Sequence, residues 1–223
     1  RNIEIVIVDD GSKDRTAILI DNLAEKDARI KVYHTENKGI GGSRRFGLDQ
    51  VHGDYLIFTD ADDWVEPDYI SALYEAIVSQ NAQMAICAYI EEYGHNSKIA
   101  NIEPHVNIND YTKDLLRGRT WAVVWNKLVK TSIVRDNHIT FDKDIRYWED
   151  VAFSVSYSLY CDKVAYVTKA LYHYVKNNSQ SLTATEGVNI EYNKEKVKNI
   201  RIVEHHLERK GKQAIFDMDL LWI

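Results

Sequence analysis

Tyr55-Leu56-Ile57-Phe58-Thr59-Asp60-Ala61-Asp62-Asp63 joins an apolar run to clustered carboxylates. The run reads as a strand, and a strand that ends in carboxylates delivers them to the carboxyl edge of its sheet. That edge is where open α/β sheets bind ligands. Hard divalent cations such as Mg²⁺ and Mn²⁺ take oxygen ligands, and Mg²⁺ commonly uses one or two carboxylates together with substrate phosphates. A metal–diphosphate site is one reading of this stretch. A solvated acidic turn before a helix is the other, because Asp also caps helices and turns.

Upstream, Ile3-Glu4-Ile5-Val6-Ile7-Val8 is β-branched and nearly continuous, the pattern of a buried strand. It stops at Asp9-Asp10-Gly11-Ser12, where Gly11 permits a tight turn and Ser12 suits the N-cap of a helix to about Lys26. Ile30–Tyr33 is a second strand. Asn37-Lys38-Gly39-Ile40-Gly41-Gly42 reads as a flexible turn before a helix through Val51. Downstream, Pro67 marks a helix start, and Ile70, Leu73, Tyr74 and Ile77 follow the spacing of a packed helix. Gln83–Tyr93 reads as another strand. Alternating strands and helices predict an α/β fold with a largely parallel sheet, helices on both faces and right-handed crossovers. The glycines form no GxGxxG, so a dinucleotide fingerprint is not supported.

After about Asn101 the pattern loosens into a mixed α+β region. It predicts helices near Asp110–Arg117 and Asp150–Tyr160, and short strands at Val164–Val167 and Leu171–Val175. In the tail, Ile190, Val197, Ile200, Val203 and Leu207 have helical spacing, which predicts a helix packed on the domain or on a partner. The expected division is a regular α/β region over 1–105, a looser mixed region over 106–188, and a C-terminal helical segment over 189–223.

The 223-residue chain is 45% hydrophobic, enough for a core, and its net charge of -6 argues against a general nucleic-acid binder. Cys87 and Cys161 lie far apart in no CxxC pattern, as in a reduced cytosolic protein. No apolar run approaches the roughly 18 residues of a membrane span, and no signal peptide is visible. The chain opens at Arg1-Asn2 without Met and stops at Leu221-Trp222-Ile223, so the natural protein is expected to extend further.

Two strand ends carry carboxylates, Asp9-Asp10 and Asp60/Asp62/Asp63, and a parallel sheet would place both on one edge. Glu149-Asp150 opens a later helix, where capping alone could account for an acidic residue. Asn37, Lys38 and Arg44 lie between the first two clusters and could meet phosphate or carboxylates; a solvated helix face is the alternative for Arg44 or Arg45.

Six motifs follow in order: Asp9-Asp10-Gly11-Ser12; Asn37-x-Gly39 with Arg44 after it; Asp60-Ala61-Asp62-Asp63; Trp125-Asn126-Lys127-Leu128; Glu149-Asp150; and Tyr172-His173-Tyr174 with Ser179 and Ser181. The ordered set resembles the family 2 glycosyltransferases of the GT-A fold, in the bacterial branch that builds capsular, exopolysaccharide and cell-wall glycans. The resemblance covers residues 1 to about 183.

The resemblance implies a Rossmann-like GT-A sheet and transfer of a sugar from a nucleotide-sugar, typically a UDP-sugar, to a glycan or lipid-linked hydroxyl. It implies Mn²⁺ or Mg²⁺ as cofactor and inversion at the anomeric carbon. Asp9 would hold the nucleotide base, with Asp10 beside it. Asp60 would contact the ribose or sugar, Asp62 the metal, and Asp63 the region of the donor sugar. Lys38 and Arg44 would lie near the donor pocket. Asp150 would be the catalytic base, with Glu149 adjacent. His173 stands either as a further metal or phosphate ligand or as a packed strand residue.

The family's earlier βα unit is missing here, and its usual Ala-Arg-Asn is Ser43-Arg44-Arg45, so only the arginine carries over. A non-catalytic nucleotide-sugar- or glycan-binding relic is the rival reading. A phosphatase using Asp-x-Asp as nucleophile and acid fits less well, because the motif is not on the first strand and Trp64 follows it. The implied location is cytoplasmic, at the inner face of the plasma membrane through peripheral association, with a second copy of the chain as a further partner.

Overall fold

The computed structural model describes residues 2–176, 190–213 and 216. The elements run β1 (Ile5–Asp9), α1 (Thr16–Ala24), β2 (Ile30–His34), α2 (Gly39–Gln50), β3 (Tyr55–Leu56), β4 (Trp64–Val65) and α3 (Tyr69–Ser79). They continue with β5 (Met84–Tyr93), β6 (Asn96–Ala100), α4 (Ile108–Leu116), β7 (Lys127–Lys130), α5 (Thr131–Asp136), α6 (Glu149–Ser158), β8 (Val164–Val175) and α7 (Ile190–Lys210).

β1 and β2 pair in parallel as a two-stranded sheet. The larger sheet runs β3-β7-β5-β8-β4, with β6 on β5. Among its described residues only β5 and β8 are parallel, so the α/β fold stands but its second half is a mixed sheet. The Glu4 carboxylate accepts from the backbone of His52 and, at 2.7 Å, of Gly53. It thereby ties the start of β1 to the turn before β3.

The core explains why β5 reads as continuously apolar. Its residues alternate faces, and both faces are covered. Met84 and Ile86 join Leu115, Phe153, Val203 and Leu207 on one side. Ala85 and Cys87 join Leu73, Ile77 and Leu171 on the other. Fully burying such a Leu or Ile side chain contributes roughly 1.5–3 kcal/mol.

Several local expectations change. Ser12 does not cap α1, because Asp9 accepts its backbone N–H at 3.0 Å and the helix starts only at Thr16. The glycines of 39–42 are not a flexible turn but the first turn of α2. A Cβ on Gly41 would collide with the carbonyl oxygens of Asp142 and Ile145, so the glycine lets α2 lie against that backbone. The two strands expected over 164–175 are one, with a register shift where it passes Cys87–Tyr89 of β5. The hairpin strand β6, the helix α5 and the short strand β4, which pairs Trp64 with His173, were not expected. The tail helix packs on the domain: Glu195, Asn199, Val203, His206 and Leu207 are buried. Ser179 and Ser181 lie outside the described residues.

Candidate active site

The turn Asp60–Asp63 docks onto β8 through one tyrosine. The Tyr172 hydroxyl accepts from the Asp60 N–H at 3.1 Å and donates to Asp63 Oδ2 at 2.7 Å. The Val175 N–H donates to Asp63 Oδ1 at 2.8 Å. Burial pushes the Asp63 carboxyl up to about 6, against these two hydrogen bonds. Asp62 stays exposed on the same turn.

Arg44 gathers the distant acids. On α2 it follows the glycines by one turn, and its guanidinium donates to Asp60 Oδ1 at 2.8 Å and to Glu149 Oε1 at 2.5 Å. Its neighbour Arg45 is exposed on the solvated face. The end of β3 and the start of α6 are thus held by one cation, across 105 residues between Arg44 and Glu149. Burial and the neighbouring Asp150 charge push Glu149 upward, and Arg44 opposes them. Asp150, partly open to solvent, accepts from the Val151 N–H at 2.8 Å; burial pushes it upward, and the charges of Arg44 and Lys127 pull it back.

The chain enters α6 through Trp148, whose φ of 65° is left-handed. That conformation costs a non-glycine residue roughly 1–2 kcal/mol. It is held by α7: Glu195 Oε2 accepts from the N–H groups of Arg146 and Tyr147 at 2.8 and 2.9 Å. Asn199 Nδ2 donates to the Tyr147 carbonyl at 2.7 Å. The tail helix therefore fixes the loop that carries Glu149 and Asp150.

Lys127 is buried, and among the described residues its ammonium is held by neutral oxygens. Its ammonium donates to the Trp121 and Val123 carbonyls and to Asn126 Oδ1, at 2.9, 2.6 and 2.8 Å. Burial pushes it down to about 7, and Asp150 is the main charge opposing that shift. Replacing it with Met strands buried acceptors, so Lys127→Met is expected to cost about 1–3 kcal/mol in denaturant unfolding. The pH dependence has a definite sign. Between about 7 and 10.5 the unfolded chain binds more protons at this residue than the folded one. Stability due to Lys127 therefore rises with pH through that window, and the deficit of the variant should widen as pH rises.

The acids of β1 form a separate group. Asp9 accepts from the Ser12 N–H and meets His34 Nδ1 at 2.8 Å; the hydrogen bonds from Ser12 and His34 hold it below the usual carboxylate range. Asp10 accepts from the Lys38 and Gly39 N–H groups at 2.7 and 2.9 Å and so caps α2. The Lys38 ammonium lies 5.3 Å over the Phe46 ring. The structure thus joins Arg44, Asp60, Asp63, Glu149 and Asp150, and leaves Asp9, Asp10 and Lys38 as a second group at the end of β1.

Among the described residues no group of three or more His, Cys, Asp or Glu is poised to hold a metal. A metal shared with a diphosphate does not need such a cage, since one or two carboxylates suffice; the exposed hard oxygens of Asp62 fit that demand. His173 is a packed strand residue: its ring nitrogens meet Glu92 at 2.7 Å and Glu66 at 3.1 Å, and Trp64 stacks on it. Sequence reasoning missed the organising roles of Tyr172, Lys127, Glu195 and Asn199. Lys127 and Tyr172 stood out as motif residues, Lys127 also as a lysine inside the largely apolar run Val123–Val129, but nothing local marked Glu195 or Asn199. No helix among the described residues is long and apolar enough to cross a membrane.

The model of the family described as glycosyl transferase family 2 matches residues 1–137. EpsH of Bacillus subtilis strain 168 is 33% identical over 180 residues, 78% of this chain and 52% of that protein. The glycosyltransferase GlyA of Streptococcus pneumoniae serotype 4 is 31% identical over 199 residues, 83% of this chain and 28% of that protein. The chain spans about half the length, or less, of these relatives. The crystal structure of S. aureus TarS 1-349 superposes with a TM-score of 0.75 at 19% identity, covering 98% of this chain and 61% of that one. TarS 1-349 has also been crystallised with UDP and with UDP-GlcNAc.

Proposed function

The chain belongs to glycosyl transferase family 2, and on that basis we propose that it transfers a sugar from a UDP-sugar to a hydroxyl of a glycan or lipid-linked acceptor. The observation that carries this reading is the Arg44 bridge. It sets the Asp60–Asp63 turn, whose carboxylates suit a metal–diphosphate donor, beside Glu149 and Asp150, which suit a base.

In this reading Asp9 and Asp10 face the nucleotide, and Asp60 and Asp63 the ribose and donor sugar. Lys38, at the β1 group, serves the nucleotide end of the pocket. Asp62 is the carboxylate that would hold Mn²⁺ or Mg²⁺. When bound, that metal would supply Lewis-acid stabilisation of the leaving diphosphate. Asp150 takes the proton of the acceptor hydroxyl as its oxygen bonds to the anomeric carbon. The bond from that carbon to the diphosphate oxygen breaks, and UDP leaves with the electron pair. One such displacement inverts the anomeric configuration. Burial raises Asp150 towards the operating pH, which suits a general base. Arg44 keeps Glu149 and Asp60 paired, and so keeps the loop and the turn in register.

The test is UDP release from a panel of UDP-sugars, with and without Mn²⁺ and with candidate acceptors. Metal-dependent turnover of at least one donor is expected; no turnover of any would contradict the proposal. In the same assay Asp62→Asn is expected to lose metal-dependent donor binding, read by calorimetry. Unchanged metal dependence in that variant would remove Asp62 from its assigned role.

A further inference from the structure

β1 and β2 end in register at Asp9 and His34, and the Thr35 N–H continues the ladder to the Asp9 carbonyl at 2.9 Å. Successive residues of a strand take opposite faces. Tyr33 takes the α2 side, where it meets Phe46 edge-on at 5.5 Å. His34 lies on the α1 side, and both of its ring nitrogens are engaged there. Nδ1 is 2.8 Å from Asp9 Oδ2, and Nε2 is 3.1 Å from Asp21 Oδ1 of α1. No residue of α1 is buried, so the Asp21 contact is a discrete tie between that helix and the sheet.

The two contacts fix the chemistry of the ring. An ionised carboxylate only accepts hydrogen bonds, and a neutral imidazole donates from one nitrogen alone. Between two carboxylates, a neutral ring would aim one lone pair at an acceptor. The geometry is that of an imidazolium, which donates from both nitrogens. The bonds to Asp9 and then to Asp21 accordingly hold His34 charged above the ordinary histidine range. Asp14, in the loop between β1 and α1, is a further acid, and its charge repels that of Asp9. Asp9 is buried, whereas the His34 side chain is 44% exposed. Solvent protons therefore reach the ring, and the ring sets the carboxylate. A carboxylate offers roughly four acceptor positions. The Ser12 N–H and His34 leave Asp9 room for a further donor, and a nucleobase N–H is such a donor.

We propose that His34 is a positioning residue for the nucleoside end of the donor pocket. As an imidazolium anchored on Asp21, it aims the Asp9 carboxylate at the nucleobase N–H. Loss of one ring proton breaks one of the two bonds, and Asp9 then loses either its donor or that donor's anchor. Nucleoside binding therefore weakens as pH rises through the titration of His34. The coupling is reciprocal, so the bound nucleoside raises the pH at which His34 titrates. The inference rests on the assignment of Asp9 to the nucleotide.

Uridine is the probe, because it carries base and ribose without phosphates that titrate in the same range. Its affinity for the full chain is read by NMR titration between about pH 6 and 8.5, around and above the ordinary histidine value. The His34 ring signal, assigned by its loss in His34→Asn, is followed in the same spectra. The parent should bind uridine about fivefold more weakly at the upper end, the loss of one hydrogen bond, and uridine should move the His34 titration upward. His34→Leu, with no donor, should bind about fivefold more weakly than the acidic parent at every pH. His34→Asn keeps a donor where Nδ1 stands but cannot titrate, so its affinity should exceed that of His34→Leu and stay flat with pH. Asp21→Asn keeps an acceptor for Nε2 but removes the charge, so its fall in affinity should come at lower pH than the parent's. A parent profile that is flat, one that tightens with pH, or an Asp21→Asn profile that coincides with the parent's each overturns the inference and leaves the donor reading standing. No binding of uridine or of UDP at any pH overturns both.

Discussion

Asp150→Asn is expected to lower kcat by about 10²-fold or more, the usual contribution of a general base, while UDP-sugar affinity stays near the parent value. The asymmetry follows from position. Asp150 lies in the first turn of α6, whereas the acids suited to a donor lie at the end of β1 and in the turn between β3 and β4. Asn keeps the size and the acceptor oxygen that binds the Val151 N–H, so the helix start survives. It cannot take a proton at neutral pH. Removing a group that acts in the transition state lowers kcat without weakening substrate binding. Transfer at close to the parent rate would move the base to Glu149 or Asp63. Loss of donor binding would show that the two halves of the site are not separable.

Arg44→Met should cost about 3–5 kcal/mol of stability, nearer the lower figure because Asp60 keeps some solvent access. The side chain is 12% exposed and its Glu149 partner 6%. Methionine fills much of the volume but leaves Asp60 and Glu149 without their shared cation. The deficit should depend on pH. Burial already raises Glu149 and Asp150 above ordinary carboxylates, and losing Arg44 raises them further. The folded variant then binds more protons than its unfolded chain, so its stability rises as pH falls through that raised range. Urea unfolding should therefore show a smaller deficit under mildly acidic conditions than under mildly alkaline ones. A loss under about 1 kcal/mol, at the level of an exposed pair, would mean that the bridge does not hold the site together.

The first half of the fold was legible because its signals are local. β1, β2 and α3 announce themselves by β-branched runs and by Ile70, Leu73, Tyr74 and Ile77. The family and its α/β fold followed from motifs at strand ends, where chemistry restricts residue choice. The mixed pairing of the larger sheet was not legible. Nothing local in Lys127–Lys130 says that it inserts between β3 and β5. β4 is two residues long and exists only because Trp64 and Val65 find β8. Gly41 sits in a stretch of flexible-turn composition, and only the approach of the Asp142 and Ile145 carbonyls turns it into a packing requirement.

The site divides in the same way. Asp60, Arg44 and Glu149 could be singled out one by one, but their junction depends on contacts 16 and 105 residues apart. The part of Glu195 in holding the Arg146–Tyr147 backbone was hidden, since a glutamate in a helical tail looks like any solvated charge.

The central claim is that the carboxylate edge receives a nucleoside diphosphate together with a divalent metal. Calorimetric titration of UDP into the full chain, with and without Mn²⁺, tests it most directly. The account predicts saturable one-to-one binding in Mn²⁺ that weakens at least about tenfold, roughly 1.4 kcal/mol, when the metal is chelated. No UDP binding under either condition would contradict it.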